Sequence, residues 1–460
     1  MSDRLARALD RASSARLIPG NAVRHFPDSP AALDAMLGLI AGARRTVHFE
    51  NYIIRGDRTG RRFAAALGER ARAGVRVRVL YDALGSIGTR RRFWRELRSA
   101  GADVRAFRPL LTSGPFDVFS RDHRKLVVVD GREAMLGGLC IGDEWAGDPE
   151  RGRMPWRDTM VSVCGPAVAA LEGSFARVWA SAGTPLPRDA FAPPADKCGS
   201  SALRVIDGTP FQSRAYRAVQ LLAAAAEERL WITDAYMVAP PPLYASLVDA
   251  AKSGVDVRLL LPGTTDIPVV RTFSRIGYRD LLRAGARIYE YGGPMVHAKT
   301  LVVDREWARV GSTNLNLSSL LGNYELDIVA ECDSLTEALA AQFRHDAAQS
   351  REIVLFERRR LPARLVRAPG ALEPSLPTPH KRSRRELQAA AAIALVQVAG
   401  GARRMLAGAG AATLAVIGGL LLLFPRAGSV VLATGTLAIS LALAVYALAR
   451  RRTRRRTDAA

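Results

Sequence analysis

The sequence predicts an α/β fold built from one duplicated unit, followed by a C-terminal pair of membrane-spanning helices. Two observations predict the duplication: one short motif occurs twice, and β-branched runs alternate with helical stretches around both copies. Two uncharged segments near the C-terminus predict the helix pair. The chain has 460 residues, 48% hydrophobic and 24% charged, which is the balance of a folded protein and excludes a disordered chain or a small disulfide scaffold.

The repeated motif has the pattern His-x-Lys, four residues, Asp, then Gly-Gly or Gly-Ser after six more residues. The first copy consists of His123, Lys125, Asp130, Gly137 and Gly138. The second consists of His297, Lys299, Asp304, Gly311 and Ser312. An apolar run separates each Lys from each Asp, so each copy is predicted to be a β-hairpin whose His and Lys share a face. We expect Asp130 and Asp304 to bond a turn or a neighbouring element, because an extended strand would place each about 23 Å from its histidine.

The segments around the motif repeat as well. GVRVRVL from Gly74 is matched by GVDVRLLL from Gly254, and AGADVRAF from Ala100 by AGARIYEY from Ala284. Helical stretches at 60–73 and 89–100 separate the β-branched runs of the first half. We therefore predict two tandem α/β repeats, residues 1–185 and 186–365, that pack as a pseudo-dimer.

Paired halves would bring two histidines and two lysines into one cleft. Two ammonium groups can hold the oxygens of a phosphate, while one imidazole attacks phosphorus and the other protonates the leaving oxygen. This chemistry needs neither metal nor cofactor, and the sequence shows no CxxC pair or Cys/His cluster with zinc-ligand spacing. The four cysteines (Cys140, Cys164, Cys198 and Cys332) are widely spaced and are expected to be free thiols of a reducing compartment.

The C-terminal region predicts a membrane anchor. Residues 366–400 are predicted to be a linker, marked by four prolines within 366–380, and a basic juxtamembrane segment. Residues 401–460 contain the uncharged stretches 405–424 and 427–449, each long enough to span a bilayer. Arginines flank the pair on both sides, which predicts cytoplasmic termini and body at the inner membrane of a bacterial-type cell. The N-terminus lacks the apolar region of a secretory signal. An Ala/Gly-rich helix pair buried in a soluble domain is the alternative.

The double motif resembles the phospholipase D superfamily, and further segments are similar to bacterial cardiolipin synthases. Those segments are IPGNAV (18–23), HFENYIIRGDRTG (48–60), GVRVRVLYDALGS (74–86), GGLCIGDEW (137–145), WRDTMVSVCGPAV (156–168) and GSTNLNLSSLLGNYELD (311–327). The resemblance implies an active site between the two halves and a phosphatidyl-histidine intermediate. It also implies that Asp158 and Glu325, downstream of the two motifs, support the histidines, and that the residues closing the motifs (Gly137, Gly138, Ser312 and Asn314) bind substrate.

Three features depart from the family pattern. Cys140 stands where the first motif is expected to close with Asn, whereas the second motif keeps Asn314. An arginine that family members often carry near Ser318 is absent. The membrane segment is C-terminal, whereas several similar synthases have an N-terminal one or none.

The sequence therefore predicts a membrane-anchored phosphatidyltransferase that makes cardiolipin from two phosphatidylglycerol molecules and releases glycerol. A hydrolytic phospholipase D is the first alternative. A superfamily nuclease is another, because the net charge of +22 also suits nucleic acid. A non-catalytic membrane scaffold is disfavoured by two intact motifs. The predicted partners are anionic phospholipids and the bilayer rather than nucleic acid. The attacking histidine, the acceptor lipid and the oligomeric state stay open.

Overall fold

A computed structural model describes residues 3–109 and 120–355, which belong to one compact unit, Met1–Arg359. The predicted linker and the segments 405–424 and 427–449 lie outside the described residues. Within the described ranges, no helix is both long and apolar enough to cross a membrane.

The first repeat contains seven strands and the helices between them. Its strands are β1 (Ile18–Phe26), β2 (Thr46–Asn51), β3 (Arg76–Asp82), β4 (Asp103–Phe107), β5 (Lys125–Val129), β6 (Glu133–Gly137) and β7 (Met160–Cys164). Its helices are α1 (Asp3–Ser13), α2 (Ser29–Ala41), α3 (Arg58–Arg72), α4 (Arg91–Ser99), α5 (Asp143–Ala146) and α6 (Ala167–Ser181). Aspartates begin two of these helices, because Asp28 and Asp57 each accept a hydrogen bond from a backbone N–H of the first turn.

The second repeat follows the same plan and adds one strand. Its strands are β8 (Ser201–Gly208), β9 (Arg229–Thr233), β10 (Asp256–Pro262), β11 (Arg287–Tyr291), β12 (Thr300–Val303), β13 (Trp307–Gly311), β14 (Glu325–Glu331) and β15 (Ser350–Ile353). Its helices are α7 (Arg214–Ala225), α8 (Pro241–Lys252), α9 (Pro268–Ile276), α10 (Tyr278–Arg283) and α11 (Asp333–Ala348).

The strand order confirms the predicted duplication. The strands described here form one sheet in which the first repeat runs β1-β7-β6-β5-β2-β3-β4 and the second runs β8-β14-β13-β12-β9-β10-β11, with β15 beside β11. The two halves join through an antiparallel pairing of β1 with β8. Since the orders are identical, the halves are related by a pseudo-twofold axis at this junction.

Helices cover both faces of the sheet. Helices α2, α3 and α4 pack on one face of the first repeat, and α1, α7, α8 and α10 pack on the second repeat. Helices α6 and α11 share a third apolar cluster with strands of both repeats. Within β5, Leu126 and Val128 contribute to this cluster while Val127 and Val129 face the opposite layer. Burial on both faces explains the uninterrupted apolar run of the motif.

Each motif forms the predicted antiparallel hairpin, β5 with β6 and β12 with β13. Asp130 accepts hydrogen bonds from the backbone N–H groups of residues 44–46, which lead into β2, and Asp304 accepts from those of residues 227–229, which lead into β9. Lys125 pairs with Asn51 at the opposite end of β2. The structure therefore places both aspartates at the far end of the hairpins from the histidines, where they bond a neighbouring element.

The prediction of four free thiols was wrong for two of the cysteines. Cys164, at the end of β7, and Cys198, in the link between the repeats, are disulfide-bonded, with their Cα atoms 6.3 Å apart. The backbone N–H of Cys198 donates to the carbonyl of Gly20 in β1. The link thus folds back onto the junction of the two halves, a proximity that sequence spacing does not reveal. Cys140 and Cys332 are free.

Candidate active site

The two motif histidines lie where the two repeats face each other. The backbone N–H of His123 donates to the carbonyl of Tyr324, in the second repeat, over 3.0 Å. The backbone N–H of His297 donates to the carbonyl of Arg157, in the first repeat, over 2.7 Å. Each motif is therefore held by the segment of the other repeat that leads into β7 or β14, and neither histidine is positioned by its own repeat alone.

The two acidic residues support the histidines crosswise. Nδ1 of His123 lies 3.0 Å from both carboxylate oxygens of Glu325, and Nδ1 of His297 lies 2.6 Å from Oδ2 of Asp158. Glu325 belongs to the second repeat and Asp158 to the first. The sequence identified both carboxylates, but the exchange of partners between repeats follows from the pseudo-twofold packing. In both pairs the carboxylate engages Nδ1, which leaves Nε2 as the ring nitrogen for chemistry.

Other side chains fix the two carboxylates. Asp158 accepts hydrogen bonds from Nε1 of Trp145 (3.1 Å) and from the backbone N–H of Thr159 (2.8 Å). Glu325 accepts from the hydroxyl of Ser312, which in turn accepts from the backbone N–H of Leu326. The acids are thus held before any substrate arrives.

The glycines that close the first motif make room for this arrangement. A Cβ atom on Gly138 would lie 2.2 Å from Oδ1 of Asp158, and one on Gly137 would lie 2.2 Å from the carbonyl oxygen of Thr159. We predicted Gly137, Gly138 and Ser312 as substrate-binding residues. The structure places Gly138 and Ser312 against the supporting carboxylates, and Gly137 against the backbone beside Asp158.

The two lysines complete a symmetric arrangement. Lys125 Nζ donates to the carbonyl of His123, and Lys299 Nζ donates to the carbonyl of His297. Each ammonium also lies over an aromatic ring, Lys125 5.1 Å from the centre of Tyr52 and Lys299 5.9 Å from that of Tyr236. Both lysines are buried, so their charge acts in a poorly solvated environment.

Aromatic side chains enclose the histidines. Tyr52 contacts His123 edge-on, with ring centres 4.9 Å apart, and Tyr236 makes the equivalent contact with His297 at 5.8 Å. Trp145 and Trp156 also lie against His297. Sequence reasoning assigned no role to these four residues. The repeat offered a signal for the tyrosines, because Tyr52 and Tyr236 end matching segments, Glu50–Tyr52 and Asp234–Tyr236.

The ionisation of the site follows from burial and from these contacts. Burial lowers the pKa of both imidazoles, and the nearby Lys299 charge helps to bring that of His297 to about 4. Burial would raise the pKa of Asp158, but His297 and Lys299 bring it down to about 2. Burial likewise opposes ionisation of Glu325, yet His123 keeps the pKa of its carboxyl below the usual value. At neutral pH each pair is therefore a neutral imidazole on an ionised carboxylate.

The charges of the two motifs also act on each other. After burial and the effects of their own partners, Lys299 lowers the pKa of His123, and Lys125 lowers that of His297. Burial lowers the pKa of Lys299 to about 8, and the Lys125 charge adds to that shift. The lysine of each motif therefore lies close enough to act on the histidine of the other. Within the described ranges, no cluster of His, Cys, Asp or Glu has the arrangement of a metal site.

Comparison with known proteins decides the family. The family described as cardiolipin synthase, PLD-like domain, matches residues 36–144 and 219–347, one match in each repeat. Cardiolipin synthase A of Pseudomonas aeruginosa is 35% identical over 357 residues, which cover 77% of this chain and 72% of that protein. The major cardiolipin synthase of Bacillus subtilis is 33% identical over 348 residues, 73% of this chain and 71% of that one.

This chain belongs to the PLD-like cardiolipin synthase family. A solved structure, phosphatidylserine synthase of Haemophilus influenzae, shares the fold with a TM-score of 0.59 and 14% identity, over 76% of this chain and 92% of that one. The resemblance predicted from the double motif is confirmed by these matches.

The structure shows the surroundings of Cys140, which departs from the family pattern, and of its counterpart in the second repeat. Cys140 is buried, and burial raises the pKa of its thiol. Its counterpart Asn314 is also buried and directs Nδ2 towards the hydroxyl of Ser319, 3.4 Å away. The first repeat thus carries a neutral thiol where the second carries an amide.

Proposed function

We propose that this protein is a phosphatidyltransferase that makes cardiolipin from two phosphatidylglycerol molecules at a single site shared by the two repeats. The observation that carries the proposal is the crosswise pairing of His123 with Glu325 and His297 with Asp158. Family membership supports a phospholipid substrate and cardiolipin as the product.

The first half-reaction forms a phosphatidyl-histidine. Nε2 of one imidazole attacks the phosphorus of phosphatidylglycerol, because its Nδ1–H is held by a carboxylate that stabilises the developing cation. The bond from phosphorus to the glycerol oxygen breaks, and the other imidazole donates a proton to that oxygen. Because this imidazole is neutral before substrate binds, it takes up that proton from solvent when the anionic phosphate binds beside it. Lys125 and Lys299 stabilise the charge on the remaining phosphoryl oxygens.

The second half-reaction returns the enzyme to its starting state. The terminal hydroxyl of a second phosphatidylglycerol loses its proton to the imidazole that acted as the acid, and its oxygen attacks phosphorus. The bond from phosphorus to Nε2 breaks, and cardiolipin leaves. Attack by water at this step gives phosphatidic acid instead, which is the hydrolase alternative.

Expression in a host that lacks cardiolipin tests the proposal. Lipids extracted from cells that make the wild-type protein should contain cardiolipin by chromatography, and those from His123→Ala or His297→Ala cells should contain none. His345→Ala is the matched control, since His345, on α11, bonds Gln349 just after that helix and should leave product formation intact. Full activity in either motif variant would refute a shared site, and phosphatidic acid as the sole product would identify a hydrolase.

We further propose that the body and both termini are cytoplasmic, with the 405–424 and 427–449 segments anchoring the protein in the inner membrane. The arginines that flank these segments support the orientation. The Cys164–Cys198 disulfide removes the support that free thiols would have given to a reducing compartment. Tags at each terminus should resist protease added to intact spheroplasts. Digestion of the C-terminal tag would overturn the proposal that two spans return the chain to the cytoplasm.

A further inference from the structure

Exposed apolar side chains are concentrated on one side of the body. Ten large hydrophobic residues are exposed in the part of the chain that the structure describes, and seven belong to five connections that we call the cleft rim. The cleft rim comprises residues 83–91, 149–156, 209–214, 263–277 and 312–324. Its exposed apolar members are Ile87, Met154, Phe211, Ile267, Val269, Ile276 and Leu317. The remaining three are Phe191, in the link between repeats, and Val354 and Leu355, at the end of the described residues.

Strand register places the connections of each repeat at the edge that holds the histidine of that repeat, and the crosswise histidine–carboxylate pairs bring these two edges together. Segments 83–91 and 263–277 follow β3 and β10, which run parallel to β2 and β9 and therefore end at the same edge. Segments 149–156 and 312–324 precede β7 and β14 and lead into Asp158 and Glu325. Segment 209–214 follows Gly208, the residue that pairs with Glu325. The cleft rim thus surrounds the catalytic groups with loops from both repeats.

Helix α9 is the most prominent part of the cleft rim. It buries none of its nine residues, and Val269 and Ile276, seven positions apart, lie on one stripe of the helix with both side chains about half exposed. The segment is tied to the site, because the Tyr236 hydroxyl donates to Asp266 (2.8 Å) and the Ser274 hydroxyl donates to the carbonyl of Met237 (2.6 Å). An exposed apolar stripe held in this position indicates a surface that contacts another apolar surface when the protein functions.

The charge of the cleft rim identifies what covers it. Its five segments contain seven arginines against two acidic residues, Glu150 and Asp266. Two of the arginines pair with carboxylates outside the cleft rim, Arg151 with Asp148 and Arg275 with Glu290, and the excess stays positive. Arg151 and Arg153 flank Met154, and Arg90 and Arg91 follow Ile87 closely. Apolar side chains beside arginines suit a surface with an apolar interior and anionic headgroups. A phospholipid bilayer has both, and the buried site needs a lipid whose phosphate enters while its acyl chains stay in the bilayer.

We propose that the cleft rim is a membrane-docking surface that inserts α9 and the tips of the neighbouring loops into the headgroup region of an anionic bilayer. This inference rests on the proposed phospholipid substrate and adds the surface through which the substrate is reached. Docking places the opening of the site directly on the lipid, independently of the C-terminal segments.

Insertion can be measured with an environment-sensitive fluorophore on single cysteines of the full-length protein. Cys332→Ser serves as background, because Cys140 is buried and the other two cysteines are bonded to each other. The probe is placed on Val269→Cys, Met154→Cys or, as a matched control, Ser253→Cys, an exposed residue at the opposite edge of the sheet. The protein is reconstituted into vesicles of equal parts phosphatidylglycerol and phosphatidylcholine.

The probes at residues 269 and 154 should shift to shorter wavelength and be quenched by doxyl-labelled acyl chains, whereas the probe at residue 253 should stay accessible to iodide. A tethered body that does not dock would leave all three accessible to iodide, and that result would overturn the proposal. A response at residues 269 and 154 that is absent with vesicles but appears with added cytosolic protein would identify a protein partner instead.

Kinetics separate docking from catalysis. The triple variant Ile267→Ser, Val269→Ser, Ile276→Ser should lose about tenfold or more in cardiolipin formation from vesicles. Its turnover of monomeric short-chain phosphatidylglycerol should stay within about twofold of wild type. Val354→Ser with Leu355→Ser, which also removes exposed apolar side chains, should change neither. Equal losses on both substrates, or none on either, would refute the proposal, and probe insertion without any cardiolipin synthesis would refute the proposed function alone.

Discussion

Replacement of Asp158 by Asn tests whether the first repeat supports the histidine of the second. The carboxylate is fully buried and accepts hydrogen bonds from His297, Trp145 and the Thr159 backbone. Asn has the same size, so the packing of the site should be kept. Its side-chain oxygen can still accept from Thr159, but its NH₂ group would then face two donors, Trp145 Nε1–H and the Nδ1–H of His297.

That conflict sets the size of the effect. A hydrogen bond to a charged group contributes about 1.5–3 kcal/mol, so loss of the carboxylate alone should slow turnover by about 10- to 100-fold. His297 can avoid the donor conflict only by moving its proton to Nε2, which removes the lone pair needed for chemistry. We therefore expect kcat to fall by about 10³- to 10⁴-fold, with KM within about threefold of wild type.

Two measurements check this reasoning. Steady-state rates of cardiolipin formation give kcat and KM, and ¹⁵N spectra of labelled histidine report the tautomer of each motif histidine. Asp158→Asn should change the tautomer of His297 and spare His123, and Glu325→Gln should do the reverse. Asp256→Asn is the matched control, because Asp256 also accepts from a tryptophan (Trp231 Nε1, 3.0 Å) but at the far end of β10. A raised KM with unchanged kcat, or a change at His123, would refute crosswise support.

Three further predictions concern the charge, the chemistry and the anchor. Burial lowers the pKa of Lys299 to about 8, so its cation is lost as pH rises through that value. We expect kcat/KM to fall above about pH 8. Lys299→Arg should move this fall in kcat/KM to higher pH, because guanidinium stays charged. A fall in kcat/KM at the same pH in the Lys299→Arg variant would show that another group causes it. EDTA should not change the rate, and inhibition reversed by added Mg²⁺ would contradict the metal-free mechanism. Truncation after Arg364 should leave a folded body that unfolds in a cooperative thermal transition. The membrane binding that remains in this body should weaken with salt. A body that aggregates or fails to unfold cooperatively would show that it needs the C-terminal region.

Local patterns in the sequence were sufficient for the repeat, the motif hairpins and the candidate histidine and lysine of each motif. Two copies of His-x-Lys at a fixed offset predict two equivalent hairpins in which the His and Lys share a face, since side chains two positions apart on a strand point the same way. The seven-residue separation of Asp130 from His123 predicted that this aspartate bonds another element, and the structure shows it bonded to the turn before β2. Asp158 and Glu325 were found by resemblance, because a lone carboxylate in a sequence has no local signal of its own.

Tertiary structure alone decided which groups meet across the junction. The pairing of β1 with β8 sets the repeats around a pseudo-twofold axis, so each carboxylate reaches the histidine of the other repeat. Chain spacing also gave no sign that Cys198 folds back onto Cys164, or that Tyr52 and Trp145 enclose the imidazoles. Such contacts join residues far apart in the chain, and they depend on how sheets and loops pack. Burial, and with it the lowered pKa of His297 and Lys299, exists only once that packing has formed. The sequence therefore determined which side chains the site contains, and the fold determined which of them pair and how they ionise.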